Sequence, residues 1–489
     1  MLFDYDDSNI ESIKEYAYRL VGYTYQDILN LCREYIRNYD LGKVSNRDKQ
    51  FIESLRNDKL FKNTNAKGQL GNFLEKYYFG YEPNGEQEAD LSKVGIEIKQ
   101  TPIDITKKGE MRAGERLSIT MISYNEPVEE DFYKSHVWDK IKNILLVHYI
   151  RDKSKERLDY PIQFVNFFTP PKEDLEIIIE DYKKINQKIK EGKAHELSEG
   201  DTLYLGACTK GNTAEGSLRP QFYNPDVLAK RRNFCFKQSY MNYVLQEYII
   251  NSNSKLETIK RNKTLSFEDS IIEKIKPFYN KSDKELMNLF DLKPNKALWN
   301  QIIYRILGIS GNQAKEFIKA NIKIKTIRVE ENGYVKEHMP LPNFKFKEII
   351  NQEFEDSDLY KLLTETKYLM VFFYKKGDCY YLKEVKFWNM PYSDIDNIVR
   401  KEWEQVKQTV INGVTFEMTS KGMKNNLLGS SQSQIIHVRP HASQSAYRLH
   451  NGFSKGKLTD CDELPNGEFM TRQSFWINKE YLIDKLRNK

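Results

Sequence analysis

Apolar residues recur at intervals of three and four through "IKEYAYRLVGYTYQDILNLCREYI", a spacing that predicts helix over Ser12–Tyr39. A second such pattern, "GQLGNFLEKYYFG", runs to Gly80. The texture then changes. "VGIEIKQTPI", "RLSITMIS", "NILLVHYI" and "YPIQFVNFF" are short β-branched and aromatic runs of strand length. A long polar helical pattern follows at "KEDLEIIIEDYKKINQKIKEGKAHEL". Strands interleaved with helices predict an α/β chain with mixed sheets flanked by helices.

The chain has 489 residues, more than one hydrophobic core usually supports, so two or three domains are expected. The polar stretch "NSNSKLETIKRNKTLSF" is the natural linker, residues 251–267, between 1–250 and 268–489. The second half echoes the first in order: "GNFLEKYYFG" with "NQIIYRILG", "VGIEIKQT" with "ANIKIKTI", "SLRPQ" with "HVRPH", and "KQSYMNYVLQEYI" with "RQSFWINKEYLI". Four matches in one order predict a duplicated domain.

A 39% hydrophobic and 13% aromatic content excludes a disordered chain. No apolar run reaches the roughly eighteen residues of a membrane span, and the first residues are acidic and polar, so a cytoplasmic chain is expected. The five cysteines are scattered without Cys-x-x-Cys, and Pro440 interrupts the pair His437 and His441, so neither a disulfide framework nor a zinc site is expected. A net charge of +6 permits a polyanionic partner but requires its contacts to be local.

The candidate chemistry lies in "QEADLSKVGIEIKQTP". On a strand, Glu97 and Lys99 project to one face while Ile96 and Ile98 project to the other. Asp90 lies seven residues upstream, and Gly95 permits the tight turn that returns it to the same place. Two carboxylates suit Mg²⁺, with Asp90 and Glu97 as ligands, and a nearby ammonium then stabilises charge during phosphodiester hydrolysis. The plain alternative is an exposed ion pair worth ~0.2–1 kcal/mol. "EGK" at Glu191, "ETK" at Glu365 and "EVK" at Glu384 repeat the acid-x-lysine pattern without evident chemistry.

Taken together, "KGQLGNFLEKYYFG", Asp90, "GIEIKQTP", "VWDKIK" and "LRP" resemble the mismatch-repair nicking endonuclease MutH and the GATC-specific type II restriction endonucleases of the Sau type. The resemblance runs from Lys67 to Ile250, and the second half resembles the extra carboxy-terminal domain of the Sau-type enzymes. It implies two tandem restriction-endonuclease-like domains, a catalytic one and a degenerate DNA-binding one. It also implies Mg²⁺-dependent cleavage of double-stranded DNA at 5′-GATC, leaving 5′-phosphate and 3′-hydroxyl ends, beside a cognate DNA methyltransferase. The family's catalytic positions fall on Glu75, Asp90, Glu97 and Lys99. Its DNA contacts fall on Lys67, Gly68, Lys140, Lys142, and the base-reading Arg219 and Pro220. Arginine reads guanine through two parallel hydrogen bonds. Gln221 stands where the MutH branch has lysine.

Lys237 and Arg472 are expected to be matched phosphate contacts, with Arg439 and Pro440 a second reading pair. In the second half Lys323 stands for Glu97 and Ile303 for Glu75, and Glu316 is the one acid near the Asp90 position. That half is expected not to cut but to bind a second site as an effector. Two alternatives are a partner-directed nicking enzyme and a non-catalytic DNA-binding regulator; monomer and association on DNA both stay open.

Overall fold

A computed structural model of the chain describes residues 3–37, 52–53, 55, 70–81, 89–209, 217–252, 254–420 and 422–487. Lys67 and Gly68, and the end of the first expected helix, lie outside the described residues. The fold consists of two compact units. The first comprises Met1–His195, Thr202–Lys255 and Ile318–Ala320; the second comprises Glu196–Asp201, Leu256–Phe317 and Asn321–Lys489.

The first unit opens with two helices, α1 (Ile10–Tyr18) and α2 (Tyr25–Arg37), where the apolar spacing predicts one. Gly22 breaks the run at φ +89°, a value glycine adopts without steric cost. Its N–H donates to the Ile162 carbonyl, while Ile162 N–H donates to Tyr23. The periodicity survives the break because both helices bury the same face: Ile13, Tyr16, Ile28, Leu29 and Cys32 share one core.

The strands follow as β1 (Glu97–Ile105), β2 (Met111–Ala113), β3 (Leu117–Met121), β4 (Ile144–Ile150), β5 (Ile162–Phe168), β6 (Leu205–Thr209), β7 (Leu218–Gln221), β8 (Asn224–Lys230) and β9 (Arg232–Phe236). One mixed sheet has the order β2-β1-β4-β5, with β1 and β4 parallel and the outer pairs antiparallel. A second sheet has the order β3-β9-β6, and β7 and β8 form a hairpin. The polar helical pattern forms Lys172–Lys190 and ends before Gly192 at φ +72°. On that helix the buried Asp181 carboxylate accepts from the backbone N–H groups of Leu203, Tyr204 and Leu205, fixing the entry to β6.

The second unit repeats this plan. Its strands β10 (Ile322–Val329), β11 (Met339–Asn343), β12 (Lys367–Lys376) and β13 (Cys379–Trp388) include a sheet ordered β10-β12-β13, parallel then antiparallel, as in β1-β4-β5. A further sheet places Gln473–Ile477 between β11 and Ile436–Pro440, matching β3-β9-β6. The helix before each central strand is capped alike. Ser135 donates to Phe132 and accepts from Trp138 N–H; Ser357 donates to Phe354 and accepts from Tyr360 N–H. Such caps contribute ~1 kcal/mol and set where the helix starts. "DFYKSHVW" and "EFEDSDLY" carry this repeat, which the four sequence matches did not include.

The topology corrects two of those matches. Lys237 follows β9 and caps the helix Gln238–Tyr243, whereas Arg472 precedes its strand, so the residue equivalent to Lys237 is Asn478. Arg439 lies on the strand that corresponds to β6: Ile436 faces Ile477 as Leu205 faces Phe236, so Arg439 takes the place of Cys208. Arg219 sits instead on the β7–β8 hairpin. Short motifs shared by a helix start and a strand start aligned by letter and not by structure.

The five cysteines are free. Among the described residues no helix is long and apolar enough to cross a membrane.

His148 on β4 is wholly buried, with neither ring nitrogen hydrogen-bonded among the described residues. Burial lowers its pKa from 6.5 to about 4. Between those values the unfolded chain binds the proton and the folded one does not, so its contribution to stability is present above pH 6.5 and declines toward pH 4. His148→Leu is therefore expected to flatten the acid side of the melting temperature against pH curve, measured from pH 4 to 7.

Candidate active site

The site forms where three local structures meet at the start of β1. The first is α3 (Phe73–Tyr77), held on the α1 core by Tyr16 and Tyr78, whose hydroxyls each donate to the other's carbonyl while the rings stack 4.4 Å apart. Cys32 Sγ donates to the Tyr77 carbonyl at 2.9 Å. This anchoring buries Glu75. The second is the turn before β1. Leu91 and Ile96 exchange backbone hydrogen bonds, Gly95 takes φ +65°, and Asp90 is thereby returned to the strand. Asp90 Oδ2 accepts from Ile98 N–H at 2.8 Å.

The third is α4 (His136–Ile141), whose first turn is set by Ser135. Because β4 runs parallel to β1, with Ile144 opposite Glu97, the helix that feeds β4 delivers Lys140 to the same end of the sheet as Glu97. Lys140 Nζ reaches Glu97 Oε2 at 2.8 Å, and Lys99 Nζ reaches Glu97 Oε1 at 2.6 Å. The Asp90 N–H also points at Oε2, at 3.4 Å.

Glu97 is 2% exposed, which removes the exposed ion-pair alternative. Burying a carboxylate is costly unless it is paired and hydrogen-bonded, and here both oxygens are held by ammonium groups. Burial, reinforced by Asp90, pushes the Glu75 carboxyl up to about 8. Burial, then repulsion from Glu97, raises Asp90 to about 6 against the pull of Lys99. The pocket therefore holds more carboxylate than its two lysines compensate. Among the described residues no group of three acids, histidines or cysteines forms a ready metal cage. The donor set, Asp90 with Glu97 Oε2, still fits a hard divalent cation, because such ions take one or two carboxylates and keep several waters.

The structure thus brings together Glu75, Asp90, Glu97, Lys99 and Lys140. Lys140, expected as a DNA contact, is a buried partner of Glu97. Lys142 pairs with Asp139 at the exposed end of α4. Gln100, which sequence reasoning missed, ties β1 to the approach of α3 by donating to the Gly71 carbonyl at 2.9 Å. The only hint of it was its position one residue beyond Lys99.

Arg219 and Pro220 are exposed on the β7–β8 hairpin. Gln221 is buried and braces that hairpin, accepting from Ala194 N–H and donating to the Val227 carbonyl. Its amide is committed to folding, so it is no substitute for a DNA-facing lysine. Lys237 must likewise be corrected from phosphate contact to structural cation: it is 1% exposed and donates to the Thr202 carbonyl at 2.7 Å. In the second unit Arg472 pairs with Asp460 at 3.5 Å. Arg439 is exposed and stacks over Trp476 at 5.3 Å, while Pro440 is exposed beside it. Ile303 is wholly buried, and Glu316 accepts from Ile259 N–H.

A family model described as the DNA mismatch repair enzyme MutH matches residues 79–181, a span that contains Asp90, Glu97, Lys99 and Lys140. The type II restriction enzyme Sau3AI of Staphylococcus aureus is 35% identical over 457 residues, covering 85% of this chain and 92% of its own length, so the likeness extends through both units.

The Glu97 clamp predicts a coupled energy. Glu97→Gln removes the carboxylate that the buried Lys140 ammonium grips, at an expected cost of ~3–5 kcal/mol, and adding Lys140→Met removes most of that cost. Hydrogen exchange of β1 and β4 peptides in the two single variants and the double variant measures the coupling.

Proposed function

Since the chain belongs to the MutH-like type II restriction endonucleases of the Sau3AI type, we propose that it cuts double-stranded DNA at 5′-GATC with Mg²⁺, leaving 5′-phosphate and 3′-hydroxyl ends. The observation that carries this reading is the buried Glu97 carboxylate beside Asp90, placed between two lysines at the start of β1. Asp90 and Glu97 would hold the cation. When bound, it supplies Lewis-acid polarisation of the phosphate and acidifies water.

The chain's own groups do the rest. Lys99 and Lys140 already sit at Glu97, and either ammonium, released from the carboxylate, provides positive charge for a phosphate whose own charge grows in the transition state. Glu75, whose carboxyl burial and the Asp90 charge push up to about 8, would hold a proton at this site. Arg219, exposed on a braced hairpin, would donate to guanine. Lys142 and the segment containing Lys67 and Gly68 would follow the backbone.

In this reading the second unit is a degenerate copy that binds another GATC site and acts as an effector, with Arg439 and Pro440 at its DNA surface. Its plan repeats that of the first unit, with Lys323 in the place of Glu97 and Ile303 in that of Glu75. Linking two binding events in one chain raises effective concentration and permits allosteric activation.

A plasmid with two GATC sites and a GATC-free control, incubated with Mg²⁺ or with EDTA, tests the proposal. Double-strand ends should map to GATC, vanish with EDTA, and fall at least ~10³-fold in rate with Glu97→Ala, a loss of about 4 kcal/mol in transition-state stabilisation. Cutting that persists in the Glu97 variant, or single-strand nicks alone, would overturn it.

A further inference from the structure

The second unit keeps the strand of the first unit's site but fills it with cations. β10 lies parallel to β12, with Lys323 opposite Tyr368 and Lys325 opposite Met370. In the first unit Glu97 faces Ile144 and Lys99 faces Leu146. Ile144, opposite Glu97, lies three residues past the helix end at Ile141, and Tyr368, opposite Lys323, lies three past the helix end at Glu365. Lys323 therefore stands in the place of Glu97, and Lys325 in that of Lys99.

Both lysines project to one side of β10, about 7 Å apart along the strand. Neither makes a hydrogen bond or ion pair among the described residues. The acid that most affects Lys325 is Glu337, and that carboxylate is held by Arg328 at 2.7 Å. Lys323 is exposed and Lys325 half-buried, and partial desolvation lowers the pKa of both ammonium groups. Two ammonium groups on one face of a strand, neither with an ion-pair partner among the described residues, present positive charge to a polyanion. A cation of the kind that fits the first unit would be repelled here.

We propose that Lys323 and Lys325 form a metal-free seat for a DNA phosphodiester, with fixed ammonium charge standing where the first unit would hold a metal ion. The choice of DNA as the polyanion rests on the two-site reading above. The seat lets the second unit hold DNA under conditions in which the first unit cannot cut.

The test uses the intact chain in EDTA with a short GATC duplex. Two quantities are read together: duplexes bound per chain, and acylation of each lysine by an amine-reactive ester, followed by peptide mass spectrometry. Lys323 and Lys325 should be protected severalfold by DNA without metal. The double variant Lys323→Gln, Lys325→Gln should reduce the slope of log affinity against log salt by about 1.8, two phosphate contacts at ~0.9 each, and Lys323→Arg with Lys325→Arg should retain it. Two duplexes bound with both lysines still fully reactive would overturn the seat and leave the two-site reading intact. One duplex bound with both lysines protected would support the seat and overturn the two-site reading. One duplex with neither protected would overturn both.

Discussion

A carboxylate taken out of water and gripped on both oxygens by lysines is the interaction on which the first unit's site depends. Glu97 is delivered by β1, Lys99 by the same strand two residues on, and Lys140 by the helix that feeds the parallel neighbour β4. The parallel pairing is what makes the clamp feasible, since it places the start of β4 beside the start of β1. An antiparallel neighbour would have carried Lys140 to the far end of the sheet. Burial strengthens the Coulomb attraction and also makes each ion costly without the others. The lysines therefore stabilise a pocket whose remaining acids, Glu75 and Asp90, are raised toward neutrality.

The clamp holds both Glu97 oxygens. Glu97 Oε2 accepts from both Lys140 and the Asp90 N–H. On the proposal that Asp90 and Glu97 hold a cation, Lys140 and that cation would compete for this oxygen. On the corresponding strand of the second unit Lys323 stands in the place of Glu97, and the buried Ile303 is the expected counterpart of Glu75. One architecture thus carries two electrostatic designs, one short of positive charge and one short of negative charge.

Much of the site was legible because it is local. The period of two in "IEIK", the turn at Gly95 and the return of Asp90 follow from strand and turn geometry within a dozen residues. The depth of Glu97 was not legible, since an alternating apolar and charged run reads as half-exposed. Lys140 was placed near the phosphate and not against Glu97, because its partner is 43 residues away and only the parallel register joins them. Lys237 and Arg472 misled because a shared Gln-Ser pair opens a helix in one unit and a strand in the other. Gly22, hidden within an unbroken apolar period, split the expected first helix.

The most direct test of the account is where a divalent cation sits. With Fe²⁺ in place of Mg²⁺ and a peroxide to generate radicals, the polypeptide backbone is cut next to the bound ion, and the fragments can be sequenced. The account predicts cuts at the Asp90 turn and beside Glu97, suppressed by excess Mg²⁺, with none along β10. Cuts on β10 as strong as those on β1, or a first unit left intact around Asp90 and Glu97, would contradict it.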